Sequence, residues 1–132
     1  MSEAPVIVER SGHVLVIGVN RPHKRNAWNI AVIEAVAEAF QELHDDPQLR
    51  VGVVHGVGDH FSAGLDLAEV GPKVAQEGPG ALGGSGGVDP FGVWAEPVGK
   101  PVVAAVQGIA YTLSIELALA SDIVVAASDV RF

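Results

Sequence analysis

The stretch His60-Phe61-Ser62-Ala63-Gly64-Leu65-Asp66-Leu67 follows a near-continuous apolar run at residues 51–57 and leads into a helix-like segment. Lys100-Pro101-Val102-Val103-Ala104-Ala105-Val106-Gln107-Gly108 repeats the plan, with a helix expected over residues 112–120. Apolar runs of this kind read as strands buried on both faces. Alternating with helices, they predict an α/β architecture with parallel pairing. Gly64 supplies a backbone freedom that a Cβ would forbid. The N–H groups after it, at a helix start, point outward with a favourable dipole, and Asp66 in the first turn suits that dipole as a cap. Two such junctions side by side can stabilise charge on a carbonyl oxygen without any special side chain.

Working outward, residues 6–8 and 14–19 flank Ser11-Gly12 and read as an opening hairpin, which Arg21-Pro22 ends. A helix is expected from about Ile30, with Asn29 as N-cap. Ile33, Val36, Ala37, Phe40 and Leu43 fall on its core-facing side at helical spacing. Residues 65–70 read as a short helix. Residues 71–90 are rich in glycine and proline and read as a flexible loop. Residues 91–94 are expected to form a helical turn, and residues 123–126 the last strand.

The length of 132 residues corresponds to one domain, 1–132. With 48% hydrophobic and 18% charged residues the chain is globular, and rich in core-forming segments for its size. A net charge of −8 argues against nucleic acid or an anionic membrane surface as partner. The longest uncharged apolar stretch falls short of the roughly 20 residues needed to cross a bilayer. No secretory leader is visible, so the expected location is cytoplasmic. Without cysteine there is no disulfide framework and no thiolate nucleophile. The histidines lack ligand spacing, so no metal is expected. His60 reads as a loop histidine.

Two formal motif matches are rejected on context. Gly83-Gly84-Ser85-Gly86-Gly87 fits the hydrolase pattern G-x-S-x-G, but no strand delivers Ser85 onto a strained turn. Gly78-Pro79-Gly80-Ala81-Leu82-Gly83 fits G-x-G-x-x-G, yet Pro79 lacks an N–H for a pyrophosphate and no strand precedes it. Arg21, His23, Lys24 and Arg25 form one local basic spot.

Asn20-Arg21-Pro22 with Asn26-Ala27, the two junctions, Ile115-Glu116-Leu117-Ala118 and Ser121-Asp122 follow one another in an order that resembles the enoyl-CoA hydratase/isomerase (crotonase) family. The resemblance covers essentially the whole chain. It implies a ββα spiral (superhelix) with parallel buried strands and an acyl-CoA thioester substrate. It also implies enoyl-CoA hydratase chemistry through a backbone oxyanion hole, serving fatty acid metabolism. No separate cofactor is implied, CoA being part of the substrate. Leu65 and Leu113 would donate N–H groups to the thioester oxygen, and Glu116 would act as acid and base. Lys24 and Arg25 would meet CoA phosphates, while Ala63, with Gly64 and Leu65, would form the CoA-binding turn, its carbonyl accepting from the adenine amino group.

Glu116 is the one acidic residue within the apolar stretch 102–120, so an apolar setting that adjusts its pKa is expected. Thr112-Leu113-Ser114 departs from the glycine run common in the family; the Leu113 N–H survives that change, but the close chain approach that glycines allow is not expected there. The family also continues beyond Phe132 with a second glutamate and C-terminal helices. The expectation is therefore a core lacking its C-terminal part, with a homotrimer or hexamer in the complete protein; Asp129 does not match the second glutamate. Isomerase or other enolate chemistry, and a non-catalytic acyl-CoA-binding relative, are the alternatives.

Overall fold

A computed structural model describes residues 3–83 and 87–132. Ser85 lies outside the described residues. Strand β1 (Val6–Ser11) pairs antiparallel with β2 (Val14–Val19), the expected hairpin. Strands β3 (Val51–Gly56), β4 (Val102–Val106) and β5 (Ile123–Ala126) follow in parallel, giving one sheet in the order β1-β2-β3-β4-β5.

Helix α1 (Ile30–Asp45) connects β2 to β3. The Asn29 side chain accepts the Val32 N–H at 3.0 Å, satisfying one of the donors that every helix start leaves unpaired. The predicted stripe of α1 is buried, and with it Val32 and Ala39. It packs on β1, β2 and β3 over Leu15, Ile17 and Val54, all fully buried.

The next connection differs from the sequence reading. Helix α2 runs Leu67–Glu77, through Gly71 and Pro72, so the segment 71–90 is not loop throughout. Pro72 removes one helical hydrogen bond. The helix survives because Val70 is buried and Val74, one turn on, packs on the same core. A 3-10 turn (Pro79–Gly83) follows; it is preceded by this helix rather than by a strand, which again excludes a dinucleotide loop.

Residues 91–94 form a bend rather than a helical turn. Fully buried Asp89 holds it, accepting the N–H groups of Phe91 (3.0 Å), Val93 (2.9 Å) and Trp94 (2.7 Å). Helix α3 (Leu113–Ala120) connects β4 to β5.

Burial on both faces, expected of the parallel strands, is only half realised. β3 and β4 alternate between buried and half-buried residues, and β5 is exposed throughout, with Ile123 at 57% and Val125 at 59%. The α1 side of the sheet is buried over β2, β3 and β4; β5 and the other side carry apolar residues that the described chain leaves open. Among the described residues no helix is long and apolar enough to cross a membrane.

Past the strand ends the chain pairs again through isolated parallel bridges, Trp28 with Leu65, Ser62 with Ala110 and Ile109 with Arg131. Each successive connection thus lays its turn beside the previous one. That repetition brings the two junctions together.

Candidate active site

The first turn is held from below by two buried polar side chains. Asn26, fully buried, accepts the Arg21 N–H at 2.8 Å and donates to the carbonyls of Val57 (3.0 Å) and His60 (2.7 Å). The Ser62 hydroxyl, 1% exposed, donates to the Asn26 carbonyl at 2.8 Å and accepts the Gly64 N–H at 3.0 Å. Buried polar groups satisfied this completely fix a unique backbone path.

Trp28 then donates its N–H to Gly64 O and accepts from Asp66 N, both at 2.8 Å. In parallel pairing these two bonds flank Leu65, so its own N–H faces away from Trp28. Among the described residues no group accepts the Leu65 N–H.

The second turn lies directly against the first. Phe61 donates to Gln107 O (2.8 Å), Ser62 to Ile109 O (3.1 Å) and Tyr111 to Ser62 O (3.0 Å). Gly64 has φ +98°, and a Cβ there would overlap the Thr112 hydroxyl and lie 3.1 Å from Tyr111 O. Residues 64 and 112 are therefore in contact, one residue before Leu65 and one before Leu113. At the start of α3, Ser114 N–H donates to Tyr111 O and Ile115 N–H to Thr112 O. Among the described residues the Leu113 N–H has no acceptor either. Leu113 holds its place in the core although glycine is absent around it; Thr112 takes the positive φ, 48°.

His60, read as a loop histidine, joins the two turns. Its Nδ1 accepts the Ile109 N–H at 3.1 Å, which requires the proton on Nε2. A side chain at Gly108 (φ +62°) would collide with this ring. His60→Ala should leave a nearly buried donor unpaired and lower stability by about 1–3 kcal/mol; chemical denaturation measures it, and an unchanged midpoint would show the bond to be idle.

Asp66 caps differently from the expectation. Its carboxylate makes no side-chain bond to the α2 start but meets Arg21, with Nη1 at 3.3 Å, while Arg21 also donates to Ala27 O at 2.7 Å. Burial works against ionisation of Asp66, but the Arg21 hydrogen bond, the nearby Glu69 N–H and the Arg21 charge outweigh it and hold its pKa below the ordinary value. A carboxyl depressed in the folded state stabilises above its unfolded pKa, about 3.9, and that contribution is lost as pH falls through the folded value. Asp66→Asn should flatten the acid side of the melting-temperature profile below about pH 4; an unaltered slope would remove this pair from the acid response.

Glu116 is exposed rather than enclosed in an apolar setting. It nevertheless lines a cavity of about 300 Å³ with Leu113, Leu82, Phe91, Val93 and Trp94. Phe91, Val93 and Trp94 of that wall come from the bend held by Asp89. Lys24 and Arg25 are exposed at and just after a 3-10 turn (Pro22–Lys24), and the Arg25 carbonyl accepts the Ala63 N–H at 2.9 Å. The two cations and the Ala63 turn are thus adjacent. The Ala63 carbonyl accepts nothing among the described residues.

The site therefore unites Ala63, Gly64, Leu65, Leu113 and Glu116, with Lys24 and Arg25 at its rim. The sequence reading placed Asn26 and Ser62 in motifs without giving them a role, read His60 as a loop histidine and did not single out Asp89. The bonds that tie Asn26, Ser62 and His60 across the fold span 30 or more positions and leave no local pattern.

Comparison with known proteins follows the same lines. Residues 9–132 match the family profile described as Enoyl-CoA hydratase/isomerase. A carnitinyl-CoA dehydratase from Salmonella enteritidis is 43% identical over 137 residues, covering 100% of this chain and 49% of that protein. A structure described as a probable enoyl-CoA hydratase/isomerase from Mycobacterium abscessus superposes with TM-score 0.87 at 42% identity, covering 96% of this chain and 48% of the other. An enoyl-CoA hydratase from Mycobacterium tuberculosis gives TM-score 0.80 at 38% identity, covering 97% and 48%. The chain spans about half the length of these relatives.

Proposed function

The chain belongs to the enoyl-CoA hydratase/isomerase family, and from that premise we propose that the protein adds water across the 2,3 double bond of an enoyl-CoA. The observation that carries this reading is the pair of uncommitted amides, Leu65 and Leu113, in turns that touch through Gly64 and Thr112. Backbone donors held rigidly where charge develops are among the strongest contributors to acyl-transfer and enolate chemistry.

In the proposed reaction water adds its oxygen to C3 while C2 takes a proton. The electron pair of the double bond moves toward the thioester carbonyl, whose oxygen gains negative charge. Leu65 and Leu113 N–H groups donate to that oxygen. Glu116 accepts a proton from water or delivers one to C2. Lys24 and Arg25 meet CoA phosphates as charge-assisted donors, and the free Ala63 carbonyl accepts from the adenine amino group. The same groups serve the reverse elimination, and the relatives named carnitinyl-CoA dehydratase make that the second direction to assay.

The test is turnover of a short 2-enoyl-CoA, with the product identified as the 3-hydroxyacyl-CoA. A shifted double bond in place of a hydroxyl would establish an isomerase instead. CoA-thioester binding without any turnover would establish a binding protein.

A further inference from the structure

We propose that the Thr112 hydroxyl is a third hydrogen-bond donor to the thioester oxygen, standing between the Leu65 and Leu113 amides; this rests on the reading of those amides as an oxyanion site. Thr112 occupies φ 48°, ψ −112°, a conformation that suits glycine and strains a β-branched residue. The strain is sustained by its surroundings: Tyr111 is tied to Ser62, and Ser114 and Ile115 are bonded back to Tyr111 and Thr112. The side chain so fixed lies against Gly64, where the absent Cβ leaves room for the hydroxyl.

Thr112 is the N-cap of α3, yet its hydroxyl makes no capping bond. The N–H groups it would cap, those of Ser114 and Ile115, already donate to main-chain carbonyls. Among the described residues the hydroxyl has no hydrogen-bond partner, and the residue is exposed at the site. A threonine hydroxyl carries one rotatable proton that can turn toward an acceptor. It precedes the Leu113 amide and lies against Gly64, which precedes the Leu65 amide, and so is positioned for the same oxygen. An enolate oxygen accepts more than two hydrogen bonds, so a third donor adds to the pair rather than competing with it.

The experiment uses acetoacetyl-CoA, whose enolate carries negative charge over the thioester oxygen and absorbs in the near ultraviolet. Its binding is titrated for the parent protein and for Thr112→Ser, Thr112→Val and Thr112→Gly, alongside kcat, KM and melting temperature. Serine keeps the hydroxyl, valine keeps shape and strain without it, and glycine relieves the strain. The expected result is near-parent enolate binding in the serine variant. Valine and glycine should lose about ten- to a hundredfold in affinity and in kcat, with KM little changed, as befits a hydrogen bond to a charged acceptor. Glycine should lose this function even as its melting temperature rises. Parent-like binding in the glycine or valine variant would overturn the role of the hydroxyl and leave the amide pair standing. A parent protein that binds no CoA thioester would overturn both.

Discussion

Glu116→Gln is expected to reduce hydration of a short 2-enoyl-CoA by about 10²–10⁴-fold, the usual contribution of a positioned acid or base, while leaving CoA-thioester affinity within a few-fold. Glu116 sits three residues after Leu113 in the first turn of α3, so both lie on one helix face. That spacing sets a carboxylate beside the amide proposed to hold the thioester oxygen, in a cavity walled by Phe91, Val93 and Trp94. Glutamine preserves length and polarity but cannot take up the proton. Loss of the conjugated enoyl absorbance follows the reaction, and isothermal titration follows binding. Parent rates in the variant would remove Glu116 from the chemistry. Equal losses in rate and affinity would make it a binding group.

Gly64→Ala is expected to cost about 10²–10³ in rate, the loss typical of removing one oxyanion donor. The added methyl meets two obstacles. It places alanine at φ +98° and it overlaps the Thr112 hydroxyl. Relief requires the two turns to part, which swings the Leu65 N–H away from its partner. The double variant Gly64→Ala with Thr112→Gly separates the two effects, since it removes the overlap and keeps the strain at residue 64. A melting temperature above the sum of the two single effects would be a measured coupling between the turns. Additive losses would show that residues 64 and 112 act independently.

The strands and their parallel pairing were legible because each strand carries its own apolar run and each turn its own glycine or proline. Asn29 announced α1 by its position before a 3.6-residue apolar stripe, and the structure uses it as a cap. What lay outside local pattern was misread. Gly71-Pro72 signals a break by composition, but burial of Val70 and packing of Val74 carry α2 through it. Asp89 gave no sign of organising a bend, since an aspartate in a glycine-rich segment reads as solvent-facing. The two junctions were found from their strand–glycine–helix plan. The locking roles of Asn26, Ser62 and His60 were not, because a side chain bonded across the fold to a main-chain carbonyl or amide looks like any other polar residue. Glu116 was located correctly on α3 but assigned an enclosure that its exposed face does not have.

Among the described residues strand β5 ends the sheet, with Ile123, Val124 and Val125 all open to solvent and one side of its ladder unpaired. Such an edge is a template on which a second β-strand can align. For a preparation of these 132 residues, the practical outcome is concentration-dependent light scattering on storage, and recovery from the expression host that improves when a lysine replaces Val124. Shelf life, rather than catalysis, is where this strand makes itself felt at the bench.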